Sequence, residues 1–467
     1  MLLILRAPDG YQSLFVVLIR RPAVINSHKF FVTHEVLVKI LLVIALRYAY
    51  FCSVTEPGFG ASAMSQTERN PKIENRYIRM NPERAEVDDG RIPRIDADET
   101  PWLANFARFC LHNEPCVFSE TFTTDWSARQ LWVREDGSPN LDYLRKAYGS
   151  QIVPVITEDS CKPIEMTFAK FCDYCEDQKS GGDSASQYLK DWHFQKSCGT
   201  SMYDVPAMLS SDWANREKWT DDDENPFRGD YRFVYFGVKG TWTKFHSDVM
   251  SSYSWSANIC GRKLWYFVPP GNENVFMQEN KQLPEDIRLY RQLWEKADVM
   301  VLIQNPGEIV FVPTNWYHQV HNLEDTISIN HNWLNASNIH LIYEFLRRHL
   351  KEVQKEIGHL SNLFSKQEMR EQEQFVLGAD ARMNMPRLRR LLEMVIADRS
   401  QGPQAKCYVC HKHANPKDCK DDHECMDKFS TYCKCTTKQC EACDAFMRSF
   451  ELSTAISLLD TMRADGF

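Results

Sequence analysis

Asp230–Val249 reads DYRFVYFGVKGTWTKFHSDV, Ser252–Gly271 reads SYSWSANICGRKLWYFVPPG, and Phe311–Trp333 reads FVPTNWYHQVHNLEDTISINHNW. Each stretch is built from short runs of β-branched and aromatic residues. Turn chemistry separates the runs at Lys239-Gly240, Cys260-Gly261, Pro269-Pro270-Gly271 and Asn305-Pro306-Gly307. Such residues fit a pleated, half-buried surface, and glycine supplies the backbone freedom a tight turn needs. Val299–Gln304 (VMVLIQ) and Glu308–Pro313 (EIVFVP) continue the pattern. Short strands at this spacing predict a β-sandwich or barrel over Asp230–Trp333.

The period changes on either side. After Trp333, the residues Ile339, Ile342, Tyr343, Phe345, Leu346 and Leu350 form one apolar stripe opposite Glu, Lys and Arg, which predicts an amphipathic helix. Further helices are expected over Asp380–Asp398 and Phe450–Met462. Upstream, Asp96–Glu120 reads helix, turn, strand, and the alternation continues with Asp142–Ala147 and Ile152–Ile156. A Gly/Ser-rich loop, Lys179–Ser186, precedes Tyr188–Phe194 (YLKDWHF). The resulting division is an apolar extension over 1–63, an α/β elaboration over 64–229, the β core over 230–335, helices over 336–400, a Cys-rich insert over 401–445 and a terminal helix over 446–467.

Composition narrows the function. With 467 residues, 43% hydrophobic and 25% charged, and with 12 Trp, 18 Tyr and 26 Phe, the chain can bury a large core, which excludes disordered and collagen-like classes. The net charge is -8 and no Lys/Arg stripe is interleaved with aromatics, so no direct nucleic-acid partner is expected. Half of the 16 cysteines are scattered, as reduced thiols are, and Asn335-Ala-Ser337 is the lone N-x-S/T acceptor. Both features point to the cytoplasm, with the nucleus as a second compartment. Val36–Phe51 is apolar, but Lys39 and Arg47 leave only Ile40–Leu46 free of charge, well short of the roughly 18–20 residues of a span. No stable membrane association is expected. From Met64 the sequence turns polar, and residues 1–63 read as an upstream extension outside the mature fold.

The chemistry is carried by His246-Ser247-Asp248, at the end of one strand-like run, and by His318 in a later one. Two imidazoles and one carboxylate are the donors of a facial Fe(II) site, and residues two apart on extended backbone present side chains to the same side. An H-x-D tripeptide is weak alone, since a histidine in a strand is more often a packed or surface residue. His321 and His331 stand at odd offsets from His318, which turns them to the opposite face. Order strengthens the reading: His246 and Asp248, then Lys263 in Gly261-Arg262-Lys263, then a Pro306-Gly307-Glu308 turn, then His318. Trp255, Trp265 and Trp333 read as core, and Trp316 as core that also walls the site.

In motif content and order, Tyr231–Trp333 resembles the jumonji-C domain, a double-stranded β-helix that uses Fe(II) and 2-oxoglutarate with O2 as co-substrates. Together with YLKDWHF it is most similar to the branch that hydroxylates a lysine of the translation termination release factor, over about Asn81 to Arg399. The resemblance implies a mainly β jelly roll of the cupin-like kind, with His246, Asp248 and His318 as iron ligands and Lys263 as the cation for the far carboxylate of 2-oxoglutarate. It places Thr243 at a co-substrate-binding hydroxyl. Ser256 stands where some relatives carry Asn, and Asn330 where Thr is frequent, so both keep a polar group there. The implied partner is the translation termination release factor. The same chemistry on an N-methyl group gives demethylation, so a histone or protein lysine demethylase is the alternative enzyme.

Neither reading covers the Cys-rich insert. Cys407-Tyr-Val-Cys410 and Cys440-Glu-Ala-Cys443 bracket Cys419, His423, Cys425, Cys433 and Cys435, a donor set that would suit one or two structural Zn sites. Its irregular spacing leaves a loop with free thiols open. A jumonji-like binding module whose zinc-bearing insert recruits a partner is the competing class, and an intact metal triad with Lys263 favours the enzyme.

Overall fold

The alternation of the central segment becomes two facing sheets. The computed structural model describes residues 87–97, 101–157, 163–182, 186–220, 229–401, 435 and 441–467, with the short pair Ile4–Leu5 and Phe15–Val16 near the start. Residues 1–47 and 48–467 are separate units. Strands β1 (Arg94–Ile95), β2 (Cys116–Phe118), β3 (Ile152–Thr157), β4 (Ile164–Thr167) and β5 (Gln187–Trp192) of the second unit lie ahead of its core. The core adds β6 (Arg232–Gly237), β7 (Trp242–His246), β8 (Tyr253–Cys260), β9 (Lys263–Val268), β10 (Met300–Gln304), β11 (Ile309–Val312), β12 (Tyr317–Asn322) and β13 (Thr326–Trp333).

The large sheet runs β1-β2-β11-β8-β13-β6-β5-β3-β4 and the small one β10-β9-β12-β7. The chain crosses between sheets at almost every turn from β6 to β13, and all pairs are antiparallel except β1 with β2. This is a mainly β double-stranded β-helix of the jelly-roll kind. The turns predicted at Gly240, Gly261, Gly271 and Gly307 all carry positive φ.

Period-two alternation sorts the side chains. On β8, Trp255, Ala257 and Ile259 point outward into the main core, while Ser254, Ser256 and Asn258 point inward opposite Asn332, Asn330 and Ser328 of β13. On the small sheet, Lys263, Trp265 and Phe267 lie opposite Asn322, Val320 and His318. The interior therefore carries polar residues from both sheets, with an apolar patch where Trp265, Phe267, Leu302, Val310 and Trp316 cluster.

The N-terminal elaboration is a continuation of the large sheet: β5 pairs with β6 and carries β3 and β4 beyond it. Helix α1 (Phe168–Lys179) covers the outer face, where Phe171 meets Phe236 edge to face at 5.4 Å. Behind the core lie α2 (Ile339–Ile357), α3 (Lys366–Ala381), α4 (Met385–Arg399) and α5 (Glu441–Ala464). The expected α2 stripe is buried at Ile339, Ile342, Tyr343, Leu346 and Leu350, with Phe345 only half-buried, and each full burial contributes about 1.5–3 kcal/mol.

Three expectations are corrected. The single helix expected over Asp380–Asp398 is two: α3 ends at Ala381, Arg382 is left-handed (φ 59°), and the Asn384 side chain accepts the Arg387 N–H to start α4 with Pro386 in its first turn. The terminal helix starts at Glu441, before the 445/446 boundary. Phe106–Leu111 winds as a π-helix, so the expected helix there is only partly α. Cys407, Cys410, Cys419, His423, Cys425, Cys433 and Cys440 lie outside the described residues, as does nearly all of 1–63. Cys435 accepts the Trp102 N–H through its carbonyl at 2.8 Å, and Cys443 is buried on α5. Among the described residues, no helix is long and apolar enough to cross a membrane.

Candidate active site

Strands β7 and β12 pair so that His246 stands opposite His318. Their ring centroids are 4.3 Å apart. Asp248 lies two residues past His246, beyond the end of β7, on extended backbone (φ -65°, ψ 150°) that keeps it on the same side. One donor atom from each of the three lies within 4.8 Å of the others, close enough to share one ion. Among the described residues no other such group exists.

Hydrogen bonds fix which donor each residue offers. Nδ1 of His246 is 2.7 Å from the Lys244 carbonyl, and Nδ1 of His318 is 3.1 Å from the Trp316 carbonyl. A carbonyl only accepts, so Nδ1 carries the proton in both rings and Nε2 keeps the lone pair for a metal. Burial, reinforced by His318, pushes the His246 imidazole well below its ordinary range, with Asp248 opposing the shift. A neutral imidazole is the ligating form. Asp248 accepts from Ser254 Oγ at 2.6 Å and from Asn332 Nδ2 at 3.0 Å, and Asn332 also reaches Ser252 Oγ at 3.2 Å. These bonds set the carboxylate plane and leave lone pairs on each oxygen.

Lys263 enters from the far end of the interior. It is 2% exposed, and its Nζ donates to Ser328 Oγ at 2.8 Å. Burial, with a smaller contribution from Lys190, lowers its ammonium to about 7. Among the described residues Ser256 Oγ is buried with no hydrogen-bond partner, and Asn330 Nδ2 reaches the Ser328 carbonyl and hydroxyl at 3.1 and 3.2 Å. Thr243 lies opposite Val320, beside the Tyr188 hydroxyl and Asn322. A buried cation with only a neutral partner, an orphaned hydroxyl and several amides fit an anionic, oxygen-rich co-substrate reaching from Lys263 to the triad.

The structure thus gathers His246, Asp248 and His318 at one end and Lys263, Thr243, Ser256 and Asn330 at the other. His321 stacks on Trp242 at 5.4 Å and bonds Gln319, while His331 stacks on Trp255 at 4.1 Å and bonds the Tyr203 hydroxyl at 2.6 Å. Neither joins the triad. Trp265 lies nearer the triad than expected. Its ring is 5.7 Å from that of His318, Phe267 follows at 6.0 Å, and Trp316 packs behind Phe267.

Sequence reasoning missed Tyr188 and Lys190 on β5, together with Ser254, Ser328 and Asn332. The signal for the last three was present: Ser328, Asn330 and Asn332 alternate with Ile327, Ile329, His331 and Trp333 in TISINHNW, as Ser254, Ser256 and Asn258 alternate with apolar residues in SYSWSANIC. Polar residues on the inward face of central strands mark a wetted interior. Gly237 belongs with them, because a Cβ there would collide with the Asn322 amide, the Thr241 hydroxyl and the Tyr188 ring.

Comparison with known proteins agrees with this geometry. The family model described as "JmjC domain, hydroxylase" matches residues 233–333. The chain is 43% identical over 276 residues to the 2-oxoglutarate and iron-dependent oxygenase JMJD4 of Danio rerio, covering 56% of this chain and 64% of that protein. It is 39% identical over 287 residues to the protein of the same name in Homo sapiens, covering 58% and 68%. It is 38% identical over 298 residues to the arginine-specific demethylase JMJ20 of Arabidopsis thaliana, covering 59% and 64%. The matched stretch spans just under two thirds of the Danio rerio relative. The chain belongs to the jumonji-C family, in its JMJD4-type branch of 2-oxoglutarate and iron-dependent oxygenases.

Proposed function

We propose that the protein is an Fe(II)- and 2-oxoglutarate-dependent protein hydroxylase acting on a lysine side chain of the translation termination release factor. The observation that carries the oxygenase reading is the pairing of the His246/Asp248/His318 triad with a buried Lys263 across a polar interior. The resemblance in motif content supports the finer substrate. When bound, iron and the 2-oxo acid would use O2 as the oxidant to hydroxylate an unactivated C–H bond, one oxygen atom going to the substrate and the other to succinate as the 2-oxo acid loses CO2.

The chain's own residues do the rest. His246, Asp248 and His318 would hold the metal through three protein donors. Lys244 and Trp316 carbonyls lock the two imidazole tautomers, and Ser254 and Asn332 hold the carboxylate in place. Lys263 is the cation for the far carboxylate, with Thr243, Ser256 and Asn330 supplying hydrogen bonds. Trp265 and Phe267 exclude water behind His318. The protein works in the cytoplasm, with the nucleus as a second compartment.

Demethylation of a protein side chain is the second reading, favoured by similarity to the Arabidopsis thaliana arginine-specific demethylase. The test incubates the full chain with Fe(II), 2-oxoglutarate and O2, with and without purified release factor, and measures succinate and the mass of the factor. Substrate-dependent succinate with a gain of one oxygen on lysine supports the hydroxylase. Succinate with loss of a methyl group from an N-methylated peptide moves the assignment to the second reading.

A further inference from the structure

Lys190 is an ammonium in the pocket that neither the triad nor the Lys263 site accounts for. It lies on β5, where inward residues should alternate as Tyr188 and Lys190. The register of β5 against β6 shifts between Leu189 and Trp192, and Asp191 in that interval is left-handed (φ 60°). This is a β-bulge, which re-aims the side chains beside it. The Tyr235 hydroxyl donates to Asp191 Oδ1 at 2.8 Å and pins the bulge. Lys190 Nζ then stands 5.7 Å from the Tyr188 ring centroid and 5.4 Å from that of Tyr235. Two aromatic faces hold it by cation–π attraction. Among the described residues its ammonium has no hydrogen bond and no ion pair.

Register locates it. Tyr235, whose ring it faces, pairs with Ser328, the residue that accepts from Lys263 Nζ, and Tyr188 pairs with Gly237 beside Asn322, the cross-strand partner of Lys263. Burial lowers its ammonium, with Asp191 opposing the shift, and its charge in turn lowers that of Lys263. Two ammonium groups aimed into one partly desolvated pocket destabilise each other unless an anion lies between them.

We propose that Lys190 is a second anion-binding cation of the co-substrate pocket, acting with Lys263 on a dicarboxylate. The proposal rests on the oxygenase reading above and deepens it. The Tyr188 and Tyr235 faces pre-position the ammonium, so its side-chain entropy is already spent before the anion arrives. An acidic group of a protein substrate is the competing occupant.

The test is calorimetric titration of 2-oxoglutarate into the full chain loaded with Mn(II), so that no turnover is needed, for wild type, Lys190→Met, Lys190→Arg and Lys263→Met. Wild type should bind, Lys263→Met should lose most of the affinity, and Lys190→Met should weaken it about 10- to 100-fold, as loss of a charged hydrogen bond does. Lys190→Arg should recover most of that loss, which a merely folding-related defect would not allow. Lys190→Met binding within threefold of wild type overturns the proposal, and an accompanying rise in KM for the protein substrate would assign Lys190 to the substrate instead. Failure of wild type to bind 2-oxoglutarate refutes the oxygenase reading itself, so the two failures are distinguishable.

Discussion

Lys263→Met should make the protein more stable and less able to bind its co-substrate. Lys263 is 2% exposed and, among the described residues, its ammonium hydrogen-bonds only the neutral Ser328 hydroxyl. Its ammonium falls from 10.5 in the unfolded chain to about 7 in the fold, chiefly through burial. The folded value is depressed, so the group penalises folding when protonated. The penalty is complete below about pH 7 and fades as pH rises from 7 towards 10.5. At 1.36 kcal/mol for each pH unit, the shift amounts to about 5 kcal/mol. A methionine of similar length fills the space without the charge and should recover much of this at pH 7 or below, raising Tm by several degrees. The gain should shrink as pH rises. Affinity for 2-oxoglutarate should fall at the same time by about 2–4 kcal/mol, roughly 30- to 1000-fold, because a desolvated carboxylate loses its cation. Thermal unfolding across pH 6–9 and calorimetric binding on the same samples measure both quantities. A destabilised Lys263→Met variant, or one that binds 2-oxoglutarate as wild type does, would refute the reasoning.

Three more outcomes are expected from the same geometry. Asn332→Ala removes one of the two hydrogen bonds that orient Asp248 and should cut metal affinity about 10- to 100-fold, read by Mn(II) titration; unchanged affinity would show that Ser254 alone suffices. Binding of 2-oxoglutarate above pH 7 should draw a proton onto Lys263, so affinity should fall as pH rises there, and calorimetry in buffers of different ionisation enthalpy should show proton uptake that Lys263→Met abolishes. Gly237→Ala inserts a methyl group among Asn322, Thr241 and Tyr188 and should cost about 1–3 kcal/mol of stability while weakening 2-oxoglutarate binding, and a variant with wild-type Tm would place those three side chains further from β6.

Much of the core was legible because its strands obey a local rule. In YSWSANIC and TISINHNW the large apolar residues fall at alternate positions, and glycine marks the turns, so strand and face can be read together. Joining β5 to the edge of β6 was not legible, since that pairing links Trp192 to Val234 across a stretch that carries short helices of its own, and no local pattern encodes it. The division of α3 from α4 did have a signal, an Asn two residues before a Pro, but the apolar stripe ran on across it.

The site divides along the same line. The two histidines and the aspartate named from the sequence converge, with His246 opposite His318 in register. The resemblance to the jumonji-C domain singled out Lys263, which its Gly-Arg-Lys context alone would assign to a solvated turn. Lys190 escaped notice because which face of β5 lines the interior depends on the pairing of β5 with β6, and no local pattern marks it. Trp265 was read as packing only, yet its ring stands beside His318. Side-chain facing across a closed barrel is set by register, and register is a property of the assembled sheet.

The most direct measurement is O2-dependent conversion of 2-oxoglutarate to succinate by the Fe(II)-loaded full chain, compared with Asp248→Ala after both are shown to be folded by circular dichroism. The triad account predicts turnover in the wild-type protein and loss of it in the variant, with metal binding weakened in parallel. Equal turnover in the two would contradict the assignment of His246, Asp248 and His318 as the iron site.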